Sequence, residues 1–215
     1  DTPLTEEEVM AKLNQVPTFT VMGKEEGGFV ALERREGGRA IAFFIEPEEA
    51  KAVLNMTQAA HPELELRLVC IGLGNAFKIC KESEEGGEAS AAFSEFDGHL
   101  RLQTSTQLAQ KTEPKLKAML AAAGMSEGAW QCPVFLCDQM SGGEMVPIFL
   151  HPREIRTAWL ANDRKEADLP EKFVMLDIRM LVDDMQKPAK GLPWRKVLFV
   201  GAEGAAEFAN QLQAA

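Results

Sequence analysis

Apolar residues along this chain fall into two series that keep the same internal order, one in each half. The first series opens with a helix start. Thr5 and Glu8 make a capping box, Leu4 and Val9 a hydrophobic staple around it, and Val9 and Leu13 continue one apolar stripe. Pro17 stops that helix, and residues 16–21 predict a short strand. Residues 29–33 and 40–45 predict a hairpin around 34–39, with Gly37-Gly38 supplying the turn. Pro47, with Glu48 and Glu49 beside it, predicts a helix start, because proline suits the first helical position and acids suit the positive end of the dipole. Its buried stripe is Ala50, Val53 and Leu54. A strand over 64–73 and a short helix over 74–81 follow, with Phe77 and Cys80 inward. Residues 82–91, rich in Glu, Gly, Ser and Ala, predict a loop. Residues 99–105 predict a strand with Leu100 and Leu102 on one face. Helical segments run over 106–123, bent or interrupted at Pro114 and stopped by Gly124.

The second series predicts a strand over 130–137, a turn at Ser141-Gly142-Gly143, a strand over 145–150 and a helix over 152–162. A strand over 172–178, a helix over 181–186, a strand over 194–200 and a helix over 205–213, with Phe208 and Leu212 inward, complete it. The two series align. Val16-Pro17-Thr18-Phe19-Thr20-Val21 returns as Cys132-Pro133-Val134-Phe135-Leu136-Cys137, an offset of 133 − 17 = 116. Phe44-Ile45-Glu46-Pro47-Glu48-Glu49-Ala50 returns as Phe149-Leu150-His151-Pro152-Arg153-Glu154-Ile155, an offset of 149 − 44 = 105. The same 105 carries Val69-Cys70-Ile71 onto Val174-Met175-Leu176. The stripe Ala50, Val53, Leu54 becomes Ile155, Ala158, Trp159. A repeat of this length exceeds a solenoid unit. The chain therefore belongs to the α/β class in its mixed α+β form: two pseudo-symmetric repeats, each a mixed sheet covered by helices. The repeats span 1–125, including the N-terminal helix, and 126–215, packed as one two-lobed unit. The first carries one additional hairpin strand.

Composition narrows the function classes. Asp and Glu outnumber Lys and Arg by 33 to 23, a net charge of −10 that repels phosphate backbones and argues against nucleic acid as a partner. The same charge attracts basic ligands over about 8 Å at physiological salt. No apolar run approaches the roughly 20 residues needed to cross a bilayer, so any membrane association is peripheral. The chain starts at Asp1 with no basic, apolar leader, as a processed product or a trimmed chain would.

Each candidate for chemistry can be tested against the other repeat. Four cysteines are too few for a disulfide framework. Cys132, Cys137, Cys70 and Cys80 align with Val16, Val21, Met175 and Met185, which is how a buried thiol behaves as a small hydrophobe. Cys132 and Cys137 are five apart on a strand and point to opposite faces, against a metal clip. Gly72-Leu73-Gly74 sits between strand and helix as a dinucleotide loop would, but Phe77 replaces the third glycine and the copy, Asp177-Ile178-Arg179, has none. Gly201 and Gly204 fit ordinary helix entry. His61, His99 and His151 lie in no zinc spacing. Asp183-Asp184 aligns with Lys78-Ile79 and fits a solvated helix face. Met175, Met180 and Met185, and Trp130, Trp159 and Trp194, fit core packing. No residue set compels an enzyme. The expectation is a non-enzymatic chain with no cofactor, no catalytic residues and no metal ligands.

The ordered set Val16-Pro17-Thr18-Phe19 and Cys132-Pro133-Val134-Phe135, with Phe43-Phe44-Ile45-Glu46-Pro47-Glu48-Glu49-Ala50 and Pro147-Ile148-Phe149-Leu150-His151-Pro152-Arg153-Glu154-Ile155, resembles the Tic22 family. In that family these read as a Val-Pro-Val-Phe strand and a Phe-Phe strand followed by an acidic helix start. The resemblance covers the chain from about Leu13 to Leu212. Cys132 in place of Val, the small Gly72 and Gly74, and the acidic segment 82–91 depart from it. It implies a two-lobed protein with apolar grooves, the intermembrane-space subunit of the chloroplast inner-envelope translocon, that escorts preproteins across the plastid envelope. Transit peptides are basic, which suits a chain of this charge. The partners it implies are preproteins and translocon components, through a surface the sequence leaves unspecified. The alternative is a thylakoid-associated structural subunit bound to a plastid membrane complex such as a photosystem–antenna assembly.

Overall fold

A computed structural model describes residues 2–23, 28–33, 37–87, 91–141, 144–188 and 193–214. The predicted turn residues 34–36 and 142–143, part of the predicted loop at 88–90, and Asp1 lie outside the described residues. Among the described residues nine strands form two sheets. In sheet A the order is β2 (Leu32–Glu33), β3 (Arg39–Phe44), β1 (Pro17–Gly23) and β4 (Leu66–Gly72), with β5 (His99–Gln103) on the other edge of β3. Sheet B runs β8 (Val174–Asp177), β6 (Pro133–Leu136), β7 (Val146–Phe149) and β9 (Val197–Val200).

The register reproduces the repeat. Phe19 pairs with Phe44 in sheet A, and Phe135 with Phe149 in sheet B, both antiparallel. Phe19 faces Cys70 and Phe135 faces Met175 across the other edge. β5 and β9 each add in parallel, through Phe44↔Gln103 and Phe149↔Val200. The additional strand of the first repeat is β2 with its flanking residues, joined to β1 by the Met22↔Phe29 bridge and to β3 by Leu32↔Ala40.

Strand alternation sorts the core into three parts, because successive side chains point to opposite faces. Phe19, Val21, Phe44, Leu66 and Leu68 form the outer face of sheet A. Phe135, Cys137 and Phe149 form that of sheet B. The inner faces, including Ile41, Phe43, Leu102, Val134, Ile148 and Phe199, share one cluster with α1 (Glu6–Leu13), α3 (Leu73–Glu85) and α6 (Ile178–Met185). Both faces are covered, so the central strands β1, β3, β6 and β7 are largely apolar, while the edge strand β5 alternates, with Leu100 and Leu102 buried. β1 buries two polar residues, Thr18 and Thr20, where sheet B has Val134 and Leu136.

The outer faces show how the repeats are joined. α2 (Pro47–Ala60) covers sheet A and α5 (Pro152–Ala161) covers sheet B, each within its own repeat. The last helix of each repeat crosses. α4 (Thr106–Ala122) packs on β6 and β8 of sheet B, and α7 (Ala205–Ala214) on β1 and β4 of sheet A. Each crossing is anchored by the same side chain. Glu49 accepts from the Thr106 N–H at 3.2 Å, and its counterpart Glu154 accepts from the Glu203 N–H at 3.2 Å. Arg153 joins the two helix starts, 3.6 Å from Glu46 and 3.2 Å from Glu154.

Local signals explain most boundaries. The Thr5–Glu8 capping box forms in both directions, at 2.9 and 3.2 Å, and Leu4 and Val9 are buried around it. α3 runs to Glu85, into the segment predicted as a loop, with Gly86 (φ +92°) ending it. α6 starts earlier than predicted because Asp177 accepts from the Arg179 N–H at 2.9 Å and caps it. The predicted strand at 194–200 begins instead with a turn of 3-10 helix, Trp194–Lys196. α4 passes through Pro114 unbroken. Pro114 and Gln110, whose carbonyl loses its helical donor there, are both exposed, so water can replace the missing bond. The free edge of β9 is closed by Lys12, whose ammonium donates to the carbonyls of Arg195 at 2.9 Å and Val197 at 3.0 Å.

Candidate functional site

α1, α3 and α6 lie over the shared inner core, and a cavity of about 180 Å³ opens between them. Met10, Phe77 and Val182 floor it, and Glu6, Glu82, Glu85, Lys78, Lys81 and Gln186 surround them. The helical period places each of these: Phe77 and Val182 face inward with the core, and the charged residues sit one to eight positions away from the floor residue of their own helix, toward solvent. Lys78 and Lys81 are engaged by acids four residues on, Glu82 at 3.6 Å and Glu85 at 3.8 Å. The rim carries three carboxylates and two ammonium groups, with Glu82 and Glu85 engaged by the lysines, an excess of one negative charge. An apolar floor ringed by charged side chains has the chemistry to take up one apolar side chain.

A second cavity, of about 220 Å³, lies between the end of α3, β5 and the turn at 93–96, with Glu84, Phe93, Phe96 and His99 on its wall. Glu84 belongs to a buried ionic knot that sequence reasoning missed. Arg179 reaches Asp177 Oδ1 at 3.1 Å and donates to the carbonyls of Ser126 at 3.2 Å, Glu127 at 3.0 Å and Trp130 at 2.8 Å. Its guanidinium lies 4.7 Å from the Trp130 ring centroid and 3.9 Å from Glu84. Asp177 also accepts from the Cys132 N–H at 3.2 Å. Every one of these partners is a structural acceptor, so the knot ties α6 and α3 to the segment entering β6. The signal that could have found it is an Asp at a helix N-cap two residues before an Arg.

The other sequence candidates have structural explanations. A Cβ on Gly72 would overlap the Asn14 side chain, and one on Gly74 would lie 2.5 Å from the Met10 carbonyl, so both glycines exist to let α1 approach α3. Asn14 Oδ1 accepts from the Asn75 N–H at 2.9 Å and occupies the place an anion would take at this helix start. Gly201 fits a close approach to Val16, 2.9 Å from where its Cβ would stand, and Gly204 needs φ +74°. His61 is exposed near Glu63, His99 lines the second cavity, and His151 Nδ1 accepts from the Arg153 N–H at 3.0 Å to cap α5. The three histidines are not brought together. Asp183 pairs with Lys187 on the exposed side of α6. Met185 is buried in the inner core and Met175 packs on the outer core of sheet B. Trp130 and Trp194 are buried in the inner core; Trp159, in the sheet B outer core, donates to the Lys165 carbonyl at 2.8 Å.

Cys80, Cys132 and Cys137 are buried and Cys70 is half-buried. Cys132 faces the inner core and Cys137 the outer, as their spacing requires. Burial pushes the Cys80 and Cys132 thiols well up, with Glu84 and Asp177 adding to it respectively. Among the described residues no group of His, Cys, Asp and Glu has the arrangement of a metal site, and no helix is long and apolar enough to cross a membrane.

By sequence, no family model and no curated protein matches this chain. Solved structures do. Tic22 from Plasmodium falciparum superposes with a TM-score of 0.62 at 14% identity, over 96% of this chain and 98% of that one. Anabaena Tic22, described as a protein of protein transport, gives a TM-score of 0.58 at 18% identity over 97% of each chain. Two crossed repeats built on paired Phe–Phe registers, matched from end to end by both structures, give this chain the Tic22-like fold.

Proposed function

We propose that this chain is a non-enzymatic protein-binding factor that acts at the surface of plastid envelope membranes and escorts preproteins during import. The observation that carries the reading is the near full-length likeness to Tic22 structures, one of them described as a protein of protein transport. The geometry supports it with a mechanism. A net charge of −10 draws basic segments toward the surface from about a Debye length away. The rim, with one carboxylate more than it has ammonium groups, then meets them, and the floor of Met10, Phe77 and Val182 buries an apolar side chain. A cavity of about 180 Å³ takes one such side chain. Its burial is worth about 1.5–3 kcal/mol, far short of the roughly 8 kcal/mol of a micromolar complex. Binding at this one site is weak and reversible, which suits a carrier that must hand its cargo on.

The test is fluorescence anisotropy with a labelled basic amphipathic peptide. The expected result is weak binding that loosens from about 0.05 to about 0.5 M salt and weakens further in Met10→Gln, which makes the floor polar at nearly unchanged volume and unchanged charge. Binding unaffected by Met10→Gln would overturn the groove, and binding unaffected by salt would overturn the steering. Stable co-purification with a single pigment–protein complex, with no affinity for the peptide, would replace the escort reading with that of a fixed subunit.

A further inference from the structure

The cavity between α1, α3 and α6 has a polar end that the floor does not explain. α1 and α3 run antiparallel, since Asn14 at the close of α1 accepts from the Asn75 N–H in the first turn of α3 at 2.9 Å. α1 starts where α6 finishes, the Leu4 N–H donating to the Met185 carbonyl at 2.9 Å. The first turn of α1 and the last turns of α3 and α6 therefore gather at one end, and they bring Glu6, Glu85, Gly86 and Gln186 there. Along the floor Phe77 and Val182 are only 2% and 3% exposed, so half-buried Met10 is the apolar residue that a ligand can reach.

The negative charge at that end is uncompensated. Lys78 and Lys81 are taken by Glu82 and Glu85, and Lys187, just past α6, by Asp183. Glu6 pairs with no described residue and carries the excess charge of the rim. The dipoles of α3 and α6 both bring their negative poles here, and the positive pole of α1 offsets only one of them.

We propose that this cavity receives a single arginine side chain of a basic partner segment, its stem along Met10 and its guanidinium between Glu6 and Gln186. The inference deepens the groove reading and rests on it: the apolar group taken up is the methylene stem, and the charged head stays at the wet end. An aliphatic side chain would leave the Glu6 carboxylate unanswered. Lysine would answer it with a point charge, whereas the planar fork of arginine can serve a carboxylate and the Gln186 amide oxygen at once.

The test uses the full chain and a labelled basic amphipathic peptide in two versions, every basic residue arginine in one and lysine in the other. Glu6→Gln is compared with Glu7→Gln, which removes the same charge from the same turn of α1 at an exposed residue that does not line the cavity. At about 0.05 M salt Glu6→Gln weakens the arginine peptide about threefold, the scale of an exposed ion pair, and Glu7→Gln changes it by less than about 1.5-fold through long-range charge alone. For the lysine peptide the two variants lose the same small amount. Equal losses of the arginine peptide in Glu6→Gln and Glu7→Gln would overturn the proposal while leaving the groove standing. Equal losses of the arginine and lysine peptides in Glu6→Gln would overturn the choice of arginine. If Met10→Gln weakens neither peptide, the groove itself fails, and this inference with it.

Discussion

Arg179 is the most heavily engaged buried charge in the described structure, and its replacement gives a number to check. The guanidinium makes four hydrogen bonds, to Asp177 and to the carbonyls of Ser126, Glu127 and Trp130. Arg179→Met keeps much of the packing over Trp130 and removes all four. The carbonyls of Ser126 and Glu127 sit on exposed residues, and water can replace their donor. The Asp177 carboxylate, wholly buried, and the Trp130 carbonyl cannot be reached so easily. Each buried group left without its partner costs about 1–3 kcal/mol. Asp177 keeps the Cys132 and Arg179 N–H donors, which moderates its share. The sum is about 3–5 kcal/mol, the usual loss when one member of a buried pair is removed. For a chain of this size that lowers Tm by about 10 °C. Arg179→Lys recovers little, because an ammonium cannot fork among three carbonyls and a carboxylate. Guanidinium and thermal unfolding of both variants, read by tryptophan fluorescence and circular dichroism, measure it. A loss under about 1 kcal/mol for Arg179→Met, or full recovery in Arg179→Lys, would refute the assignment of the knot as a structural tie.

Three other outcomes are expected. Gly74→Ala, whose Cβ would meet the Met10 carbonyl at 2.5 Å, costs about 1–3 kcal/mol by overpacking, while Gly28→Ala, with nothing within 4 Å, changes stability by about 0.5 kcal/mol or less; chemical denaturation separates them. His151 has its pKa held below 6.5 by burial first, against the pull of Glu46 and Glu154. Its neutral form therefore stabilises the fold, and that contribution is lost as pH falls below the ordinary imidazole range, because a protonated Nδ1 cannot accept from the Arg153 N–H. His151→Asn, which caps without titrating, flattens the decline of Tm between about pH 7 and pH 5; an unchanged slope would remove His151 from the account. In native alkylation followed by mass spectrometry, half-buried Cys70 reacts first and Cys80 and Cys132 only on unfolding, since burial raises their thiols; rapid labelling of Cys132 would contradict its place in the inner core.

Much of this molecule is readable from nearest neighbours along the chain. Thr5 and Glu8, Pro47 and Pro152 mark helix starts because capping and proline geometry act within one turn. Apolar runs around Phe19, Phe44, Phe135 and Phe149 predict strands, and the offsets of 116 and 105 imply that a pairing adopted by one repeat recurs in the other, while the pairing itself, Phe19 with Phe44 and Phe135 with Phe149, is seen only in the structure. What alternation cannot state is which surface will cover a given face. Phe208 and Leu212 are inward in any reading, yet whether they meet sheet A or sheet B depends on where residues 201–204 lead, and Leu108 poses the same ambiguity in reverse. Gly72 and Gly74 look like a phosphate loop in one dimension; only the approach of Asn14 and Met10, some sixty residues away in sequence, shows what they make room for. Arg179 looks like one more surface charge until three carbonyls and Asp177 enclose it. The cavity floor of Met10, Phe77 and Val182 comes from three separate helices, none of which signals the other two. Local periodicity is set by backbone geometry and is written in the sequence; sites and crossings are set by which distant surfaces bury each other best, and only the tertiary structure decides that.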